Sequence, residues 1–356
     1  MKRKITLGVI GSGMMGRIHI ENIYRYLHDE AELKYVVDIN PEKYNSWIVE
    51  KGYNLPAAIT DKDVLMNDDS VEGVIITAPS FIHGDLVLEA SNKKKHVLCE
   101  KPLDYSIDKV YKIINTIKDN NTKLQVAFHR RYDKSFNSAQ KMIKEGKIGE
   151  LYVSKLTSRD GRGPGPSKMT PEERRKTYGV KFRGVIFDSA IHDFDMARYV
   201  SSSEVTEVYC MGGSLVNKLG DDSKYADTVV TNLKFADGSM AVIENGSTPY
   251  GYDQRAEFLG YGGNIHVNNE FPAANYWIDE NGYHKGKPQW YFAERYIQAY
   301  TDEMQSFINA IRNDTPVEVN VIDGLMSVAI SLAAEISIAE NRPVKLSEVL
   351  REQSVI

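Results

Sequence analysis

Two short stretches carry residue types able to move a proton and to hold a charge. In Phe187-Asp188-Ser189-Ala190-Ile191-His192-Asp193-Phe194-Asp195, Asp188 and His192 stand four apart, a spacing that puts both on one face of a helix and lets them touch. A carboxylate beside an imidazole holds the ring in one tautomer and leaves its other nitrogen free to take a proton near neutral pH. In Cys99-Glu100-Lys101-Pro102 the proline fixes its own φ and biases Lys101 toward extended geometry, so a cation is stiffened where a strand ends. A base and a fixed cation suit hydride removal from an alcohol, whose hydroxyl proton must leave as the hydride does. A metal held by Asp188, His192 and Asp195 is not expected, because one histidine with carboxylates is an incomplete zinc set.

A hydride needs an acceptor, and the start of the chain supplies a place for one. Ile5-Thr6-Leu7-Gly8-Val9-Ile10 reads as a buried parallel strand, followed at once by Gly11-Ser12-Gly13-Met14-Met15-Gly16 and a helical pattern through Ile18, Ile23 and Leu27. Gly11 permits the tight turn, Gly13 lets backbone amides approach a pyrophosphate, and Gly16 lets helix and strand pack closely. The next strand, Leu33 to Val37, ends in Asp38, where a carboxylate accepts hydrogen bonds from an adenosine ribose. Asp38 repels a 2′-phosphate and no arginine follows it immediately, so NAD is expected as the cofactor rather than NADP.

Strand and helix keep alternating. Gly73 to Ala78 is a strand, Pro79-Ser80 turns into a helix carrying His83, Leu86, Val87 and Ala90, and Val97 to Cys99 is the next strand. A helix over Ile107 to Asp119 and a strand over Leu124 to Phe128 follow; with a short strand near Ala57 to Ile59 they complete six. Repeated βα units imply a doubly wound parallel sheet with its ligand at the carboxyl ends of the strands, where Ala78-Pro79, Glu100-Lys101 and His129-Arg130 all fall. The expected cofactor contacts are Gly11, Gly13, Met14, Met15, Gly16, Asp38, Ile39, Ala78, Pro79, His83, Glu100 and Lys101.

After a helix over Phe136 to Glu145 the pattern changes to long alternating strands: Glu150 to Thr157, Val205 to Met211, Thr228 to Phe235, Met240 to Asn245 and Ala256 to Leu259, with Ala236-Asp237-Gly238 as a hairpin turn. This reads as a second domain with a large, mostly antiparallel, half-exposed sheet. Helices over Ala293 to Arg312 and Val321 to Asn341 close the chain and are expected to pack back on the first domain. The domains are placed at residues 1–130 and 131–356, a division that suits a chain of 356 residues.

With 44 Lys and Arg against 49 Asp and Glu, a net charge of −5 and no long basic run, neither nucleic acid nor a membrane surface is an expected partner. The two cysteines, Cys99 and Cys210, lie far apart without metal spacing, and a reduced, cytoplasmic setting is expected. Lys2-Arg3-Lys4 is charged like the start of a signal peptide, but the apolar run after it is short, and no stretch is read as reaching the length of a membrane span.

Taken together, Gly11 to Gly16, Glu100-Lys101-Pro102, Phe128-His129-Arg130-Arg131-Tyr132-Asp133, Ile191-His192-Asp193-Phe194-Asp195-Met196-Ala197-Arg198 and Gly251-Tyr252-Asp253 resemble the Gfo/Idh/MocA oxidoreductases over essentially the whole chain. The resemblance implies an α/β architecture, with an N-terminal Rossmann domain for NAD and a C-terminal α+β domain. In that family the open sheet commonly mediates oligomerisation, here expected as a homodimer or homotetramer. It also implies that Lys101, Asp188 and His192 occupy the catalytic positions. His192 would be the base, Lys101 would hold the reacting hydroxyl, and Asp188 would bind substrate or orient the base.

Within the family the chain looks most like inositol 2-dehydrogenases, where residues matching Arg130, Asp160 and Tyr250 lie near the polyol. The expected substrate set is therefore Lys101, His129, Arg130, Asp160, Asp188, His192 and Tyr250, and the expected substrate a cyclic polyol or sugar, with myo-inositol at its 2-position first. Two departures stand out: Phe182-Arg183-Gly184 stands where many relatives have Ser-Gly-Gly, and the segment from Arg159-Asp160-Gly161 through it is long and basic, with Arg162, Lys168, Arg174, Arg175, Lys176, Lys181 and Arg183. Such a segment is either a solvated loop or a lid, and a lid would suit a bulkier sugar or glycoside, oxidised for example at a pyranoside 3-hydroxyl with tightly held NAD. An NAD-binding regulator without turnover is the alternative from another class.

Overall fold

The computed structural model describes residues 3–161, 170–174, 176, 183–220, 222–248, 251–273, 275–286 and 289–351. The chain divides into two units, Met1–Tyr132 with Gln298–Val328, and Asp133–Ile297 with Ala329–Ile356. Most of the basic segment after Gly161 and Tyr250 lie outside the described residues.

The first unit alternates β1 (Ile5–Ile10), α1 (Met14–Tyr26), β2 (Ala31–Val37), α2 (Pro41–Lys51), β3 (Ala58–Ile59), α3 (Lys62–Met66), β4 (Gly73–Ile76), α4 (His83–Asn92), β5 (His96–Glu100), α5 (Ile107–Asn120) and β6 (Leu124–Ala127). The six strands are all parallel in the order β3-β2-β1-β4-β5-β6, the doubly wound Rossmann arrangement. Strand order reverses between β1 and β4, so Gly11 and Thr77 leave the sheet side by side at the switch point, where such folds bind ligands. Every residue of β4 and β6 is buried, as expected of strands covered on both faces.

The apolar face of helix Ile297–Asn313 completes this core. Met304, Phe307, Ile308 and Ile311 cluster with Ile5, Leu7, Val9, Ile75 and Leu98. Burying a side chain of the size of Phe307 contributes roughly 1.5–3 kcal/mol.

The second unit opens with α6 (Lys134–Lys144), whose first amides, Ser135 N–H and Phe136 N–H, donate to the N-cap Asp133 carboxylate at 3.1 and 3.2 Å. Then come β7 (Leu151–Gly161), a π-helical turn Ile186–Ala190 running into α7 (Ile191–Ser201), β8 (Val205–Gly213), β9 (Thr228–Phe235), β10 (Met240–Thr248), β11 (Asp253–Gly260), β12 (Gly263–Val267) and the separate hairpin of β13 (Tyr276–Asp279) and β14 (Gly282–Lys285). Helices α8 (Ile297–Asn313) and α9 (Val321–Glu340) and the short β15 (Val344–Lys345) end the chain. Seven strands form one sheet in the order β12-β11-β7-β10-β9-β8-β15. Neighbours are antiparallel except β7 and β10, which run parallel. The β9–β10 hairpin turns at Gly238, whose φ of 89° favours glycine, and Asp237 accepts from the Ser239 amide and hydroxyl.

Three expectations need correction. The helix read over Phe187 to Tyr199 starts as the π turn, so the four-residue spacing of Asp188 and His192 does not lie in one regular helix. The helix read over Ala293 to Arg312 is broken at Tyr296, between a turn at Phe292–Arg295 and α8. Helix α9, at 20 residues, is long and apolar enough to cross a membrane by length and composition, contrary to the reading that no stretch was. It is a core helix, with Val328, Ala329, Ile330, Ala333 and Ala334 all buried.

Candidate active site

The glycine turn shows which of its glycines the protein itself requires. A Cβ on Gly16 would lie 2.0 Å from Gly11 O, and one on Gly11, where φ is 98°, would lie 2.8 Å from backbone atoms of Thr77 and Ala78. Gly13 is different: its φ is −64°, and nothing lies within 4 Å of an added Cβ. No contact inside the protein demands glycine at position 13. A glycine there leaves room for a ligand to approach the backbone closely. Gly13 is also the N-cap of α1, which has no side-chain cap and no acidic residue in its first turn, so the dipole of this helix start suits an anion such as a pyrophosphate. The residues present therefore fit a dinucleotide.

Asp38 follows β2, and its carboxylate is already engaged. Ser12 N–H and Ser12 Oγ–H donate to Oδ2, each at 2.7 Å, and Asn40 N–H donates to Oδ1 at 2.8 Å. Partial burial works against ionisation, but these hydrogen bonds and the nearby Arg17 outweigh it and hold the Asp38 pKa below its usual value. A charged Asp38 fits the ribose of NAD and opposes a 2′-phosphate. Met14 is half-exposed and Ile39 exposed, beside this edge of the turn.

At the ends of β4 and β5 the structure ties several expected contacts to one another. Thr77 Oγ1 donates to Gly11 O at 2.6 Å. His83 is buried, with Nε2 2.7 Å from Ala78 O and Nδ1 2.8 Å from Pro102 O. Glu100, also buried, has Oε1 2.9 Å from Nε2 of the fully buried His19. The side chains of His83 and Glu100, read from sequence as cofactor contacts, thus have partners within their own unit. Lys101 is half-buried and joined to Pro102 by a cis peptide bond.

His129 and Arg130 are buried on the 3-10 turn His129–Tyr132, and the His129 ring stacks on Tyr300 with centroids 4.2 Å apart. Burial, then the positive charges of Arg130 and Lys101, push the His129 pKa well below its ordinary value, so the ring is neutral.

The second unit holds the remaining residues. Asp188 lies half-buried in the π turn, and His192 is buried in the first turn of α7. Helix α7 is fastened to the sheet by its next residue. Asp193, fully buried, accepts from Asn245 Nδ2 at 2.6 Å and from Gln254 Nε2 at 3.2 Å. Asn245 and Gln254 each sit opposite Ser158, so a row of buried polar side chains crosses β10, β7 and β11. Asp160, two residues on along β7, pairs with Ser247 of β10. Between them Arg159 is held by Glu244, at 2.6 to 2.9 Å, and by Asp253 at 2.9 Å. Arg183, counted above with the basic segment, instead forms a two-pronged pair with Glu335 at 3.0 and 2.6 Å.

Ser12, Thr77, Asp193, Asn245 and Gln254 were not singled out from sequence. A serine inside a glycine turn and a buried-face Asn and Gln in alternating strands were the available signals; their partners lie 26 to 61 positions away.

Two family models match the chain. Residues 5–128 match the oxidoreductase family with an NAD-binding Rossmann fold, and residues 136–266 match the GFO/IDH/MocA C-terminal domain. An uncharacterized oxidoreductase of Bacillus subtilis, YrbE, is 35% identical over 97% of this chain and 98% of its own. Myo-inositol 2-dehydrogenase of Thermotoga maritima is 34% identical over 97% of this chain and all of its own. Among solved structures, scyllo-inositol dehydrogenase of Lactobacillus casei with bound NAD(H) and scyllo-inositol superposes with a TM-score of 0.84 at 26% identity, covering 97% of this chain and 100% of that one.

Proposed function

The chain belongs to the Gfo/Idh/MocA family of NAD-binding oxidoreductases, and from that premise we propose that it oxidises a ring secondary hydroxyl of a cyclic polyol, with myo-inositol at its 2-position the leading substrate. The observation that carries the substrate class is the 34% identity with a myo-inositol 2-dehydrogenase along the whole of both chains. NAD, when bound, supplies the hydride acceptor.

The chain's own residues do the rest. The open backbone at Gly13 and the N-terminus of α1 receive the pyrophosphate, and Asp38 takes the adenosine ribose. His192 takes the hydroxyl proton, Lys101 holds that oxygen and stabilises the alkoxide as charge develops, and Asp188 orients the base or a neighbouring hydroxyl. Arg130, Asp160 and Tyr250 contribute hydrogen bonds to the remaining hydroxyls. Discrimination between inositol stereoisomers then rests on which buried polar groups would be left unpaired by the wrong ring.

The experiment is an NADH absorbance assay of the purified protein with NAD and a panel of myo-inositol, scyllo-inositol and common pyranoses. NADH formation with an inositol is expected. NAD binding without NADH formation on any inositol would overturn the reading.

A further inference from the structure

We propose that His83 is a positioning residue that holds Lys101 in place through the Pro102 carbonyl. The proposal rests on the function just described, in which Lys101 touches the reacting oxygen.

His83 is 1% exposed, and both of its ring nitrogens are taken, Nδ1 at 2.8 Å from Pro102 O and Nε2 at 2.7 Å from Ala78 O. No polar atom of the ring is left for a dinucleotide. The two carbonyls come from the ends of β4 and β5, and the ring is the middle of a chain of contacts. Gly11 O accepts from Thr77 Oγ1 at 2.6 Å, Thr77 leads to Ala78, His83 bridges Ala78 to Pro102, and Pro102 adjoins Lys101. The glycine turn and the lysine are thereby held to one another.

A second observation places the start of α4 against the same segment: a Cβ on Gly84 would lie 2.4 Å from Asp104 Oδ2. The start of the helix thus packs on the side chain of Asp104, three residues after Lys101. Carbonyl oxygens only accept, so a neutral ring, with one N–H, serves one carbonyl fully, and the imidazolium serves both. Burial pulls the His83 pKa down and the nearby Lys101 charge adds to that, while the two carbonyls and Glu100 oppose them.

The two contacts can be separated by substitution, because an asparagine amide nitrogen stands near the place of Nδ1 and a glutamine amide nitrogen near that of Nε2. His83→Asn keeps the donor to Pro102 and His83→Gln keeps the one to Ala78. Steady-state kinetics on the inositol substrate should show kcat reduced about tenfold or more in His83→Gln and His83→Ala but within about threefold of wild type in His83→Asn, with the NAD dissociation constant within about threefold throughout. Equal losses in the Asn and Gln variants, or an NAD dissociation constant that rises in step with the loss of kcat, would overturn the proposal. Wild-type protein that binds NAD but oxidises no polyol would instead defeat the function reading alone. In that event the outcome is read without turnover, from the carbon-13 resonance of isotopically methylated Lys101, assigned with Lys101→Arg. That signal should move in His83→Gln and stay in His83→Asn; a signal unmoved in both overturns the proposal.

Discussion

Asp193 and Asn245 meet at 2.6 Å in the interior of the second unit, one residue along the chain from His192. Each is fully buried, and Gln254 completes the Asp193 carboxylate from the neighbouring strand. An amide pair donating to a buried carboxylate fixes the rotation of α7 about its axis, and His192 turns with the helix. Replacing Asp193 with Ala strands two buried amides, and the expected loss is about 2–4 kcal/mol of unfolding free energy by urea titration. Stability unchanged in that variant would remove Asp193 from this role.

The glycine turn separates two kinds of defect. Gly16→Ala must push against Gly11 O and should lower the melting temperature, by an amount corresponding to about 2 kcal/mol or more, because backbone cannot give way cheaply. Gly13→Ala meets nothing in the protein and should melt within a degree or two of wild type, yet weaken NAD about tenfold, roughly 1.4 kcal/mol. Calorimetry with and without NAD reads both. A Gly13→Ala protein with undiminished NAD affinity would contradict the reading of that open space.

Substitution at the base and at the cation should separate chemistry from binding. His192→Asn is expected to cut kcat about 10²–10⁴-fold, the range lost with a general base, while NAD titration by fluorescence stays close to wild type. Lys101→Met should lose a comparable factor through the unsupported alkoxide, roughly 10²–10³. Normal turnover in either protein would sink the assigned mechanism.

Glu303 of α8 is fully buried, and neither carboxylate oxygen has a hydrogen-bond partner among the described residues. Burial, and then the charge of Glu100, push its pKa well above the ordinary carboxylate value, so the folded protein holds a proton that the unfolded chain gives up. A raised folded pKa means stability that is fully present below the unfolded value and lost as pH rises through the folded one. Glu303→Gln removes this dependence. Urea unfolding from about pH 5 to about pH 9 should show the variant gaining on wild type toward the alkaline end, by roughly 1–3 kcal/mol. A gap between the two proteins that stays constant across that range would show that Glu303 does not titrate this way.

Much of this molecule was legible in the sequence because the signals are local. Gly11 to Gly16 between a buried apolar run and an amphipathic helix, with Asp38 ending the next strand, specifies a glycine turn, a helix and a second strand within 28 residues. The alternation in Thr228 to Phe235 and the turn at Gly238 are likewise written in neighbouring residues, since side-chain period and turn geometry depend on little else.

What only the tertiary structure decided involves partners that sequence distance hides. His83, at a helix start behind a strand end, reads like a cofactor contact, but its carbonyls lie five residues before it and nineteen after. Asp193 reads as one more acid on a polar helix until Asn245 and Gln254 arrive from two strands. The parallel pairing of β7 with β10 inside an otherwise antiparallel sheet has no local signature either. Hydrophobic periodicity says which face of an element is buried; which element covers it, and which buried polar atoms then find partners, is settled only when all the layers pack at once.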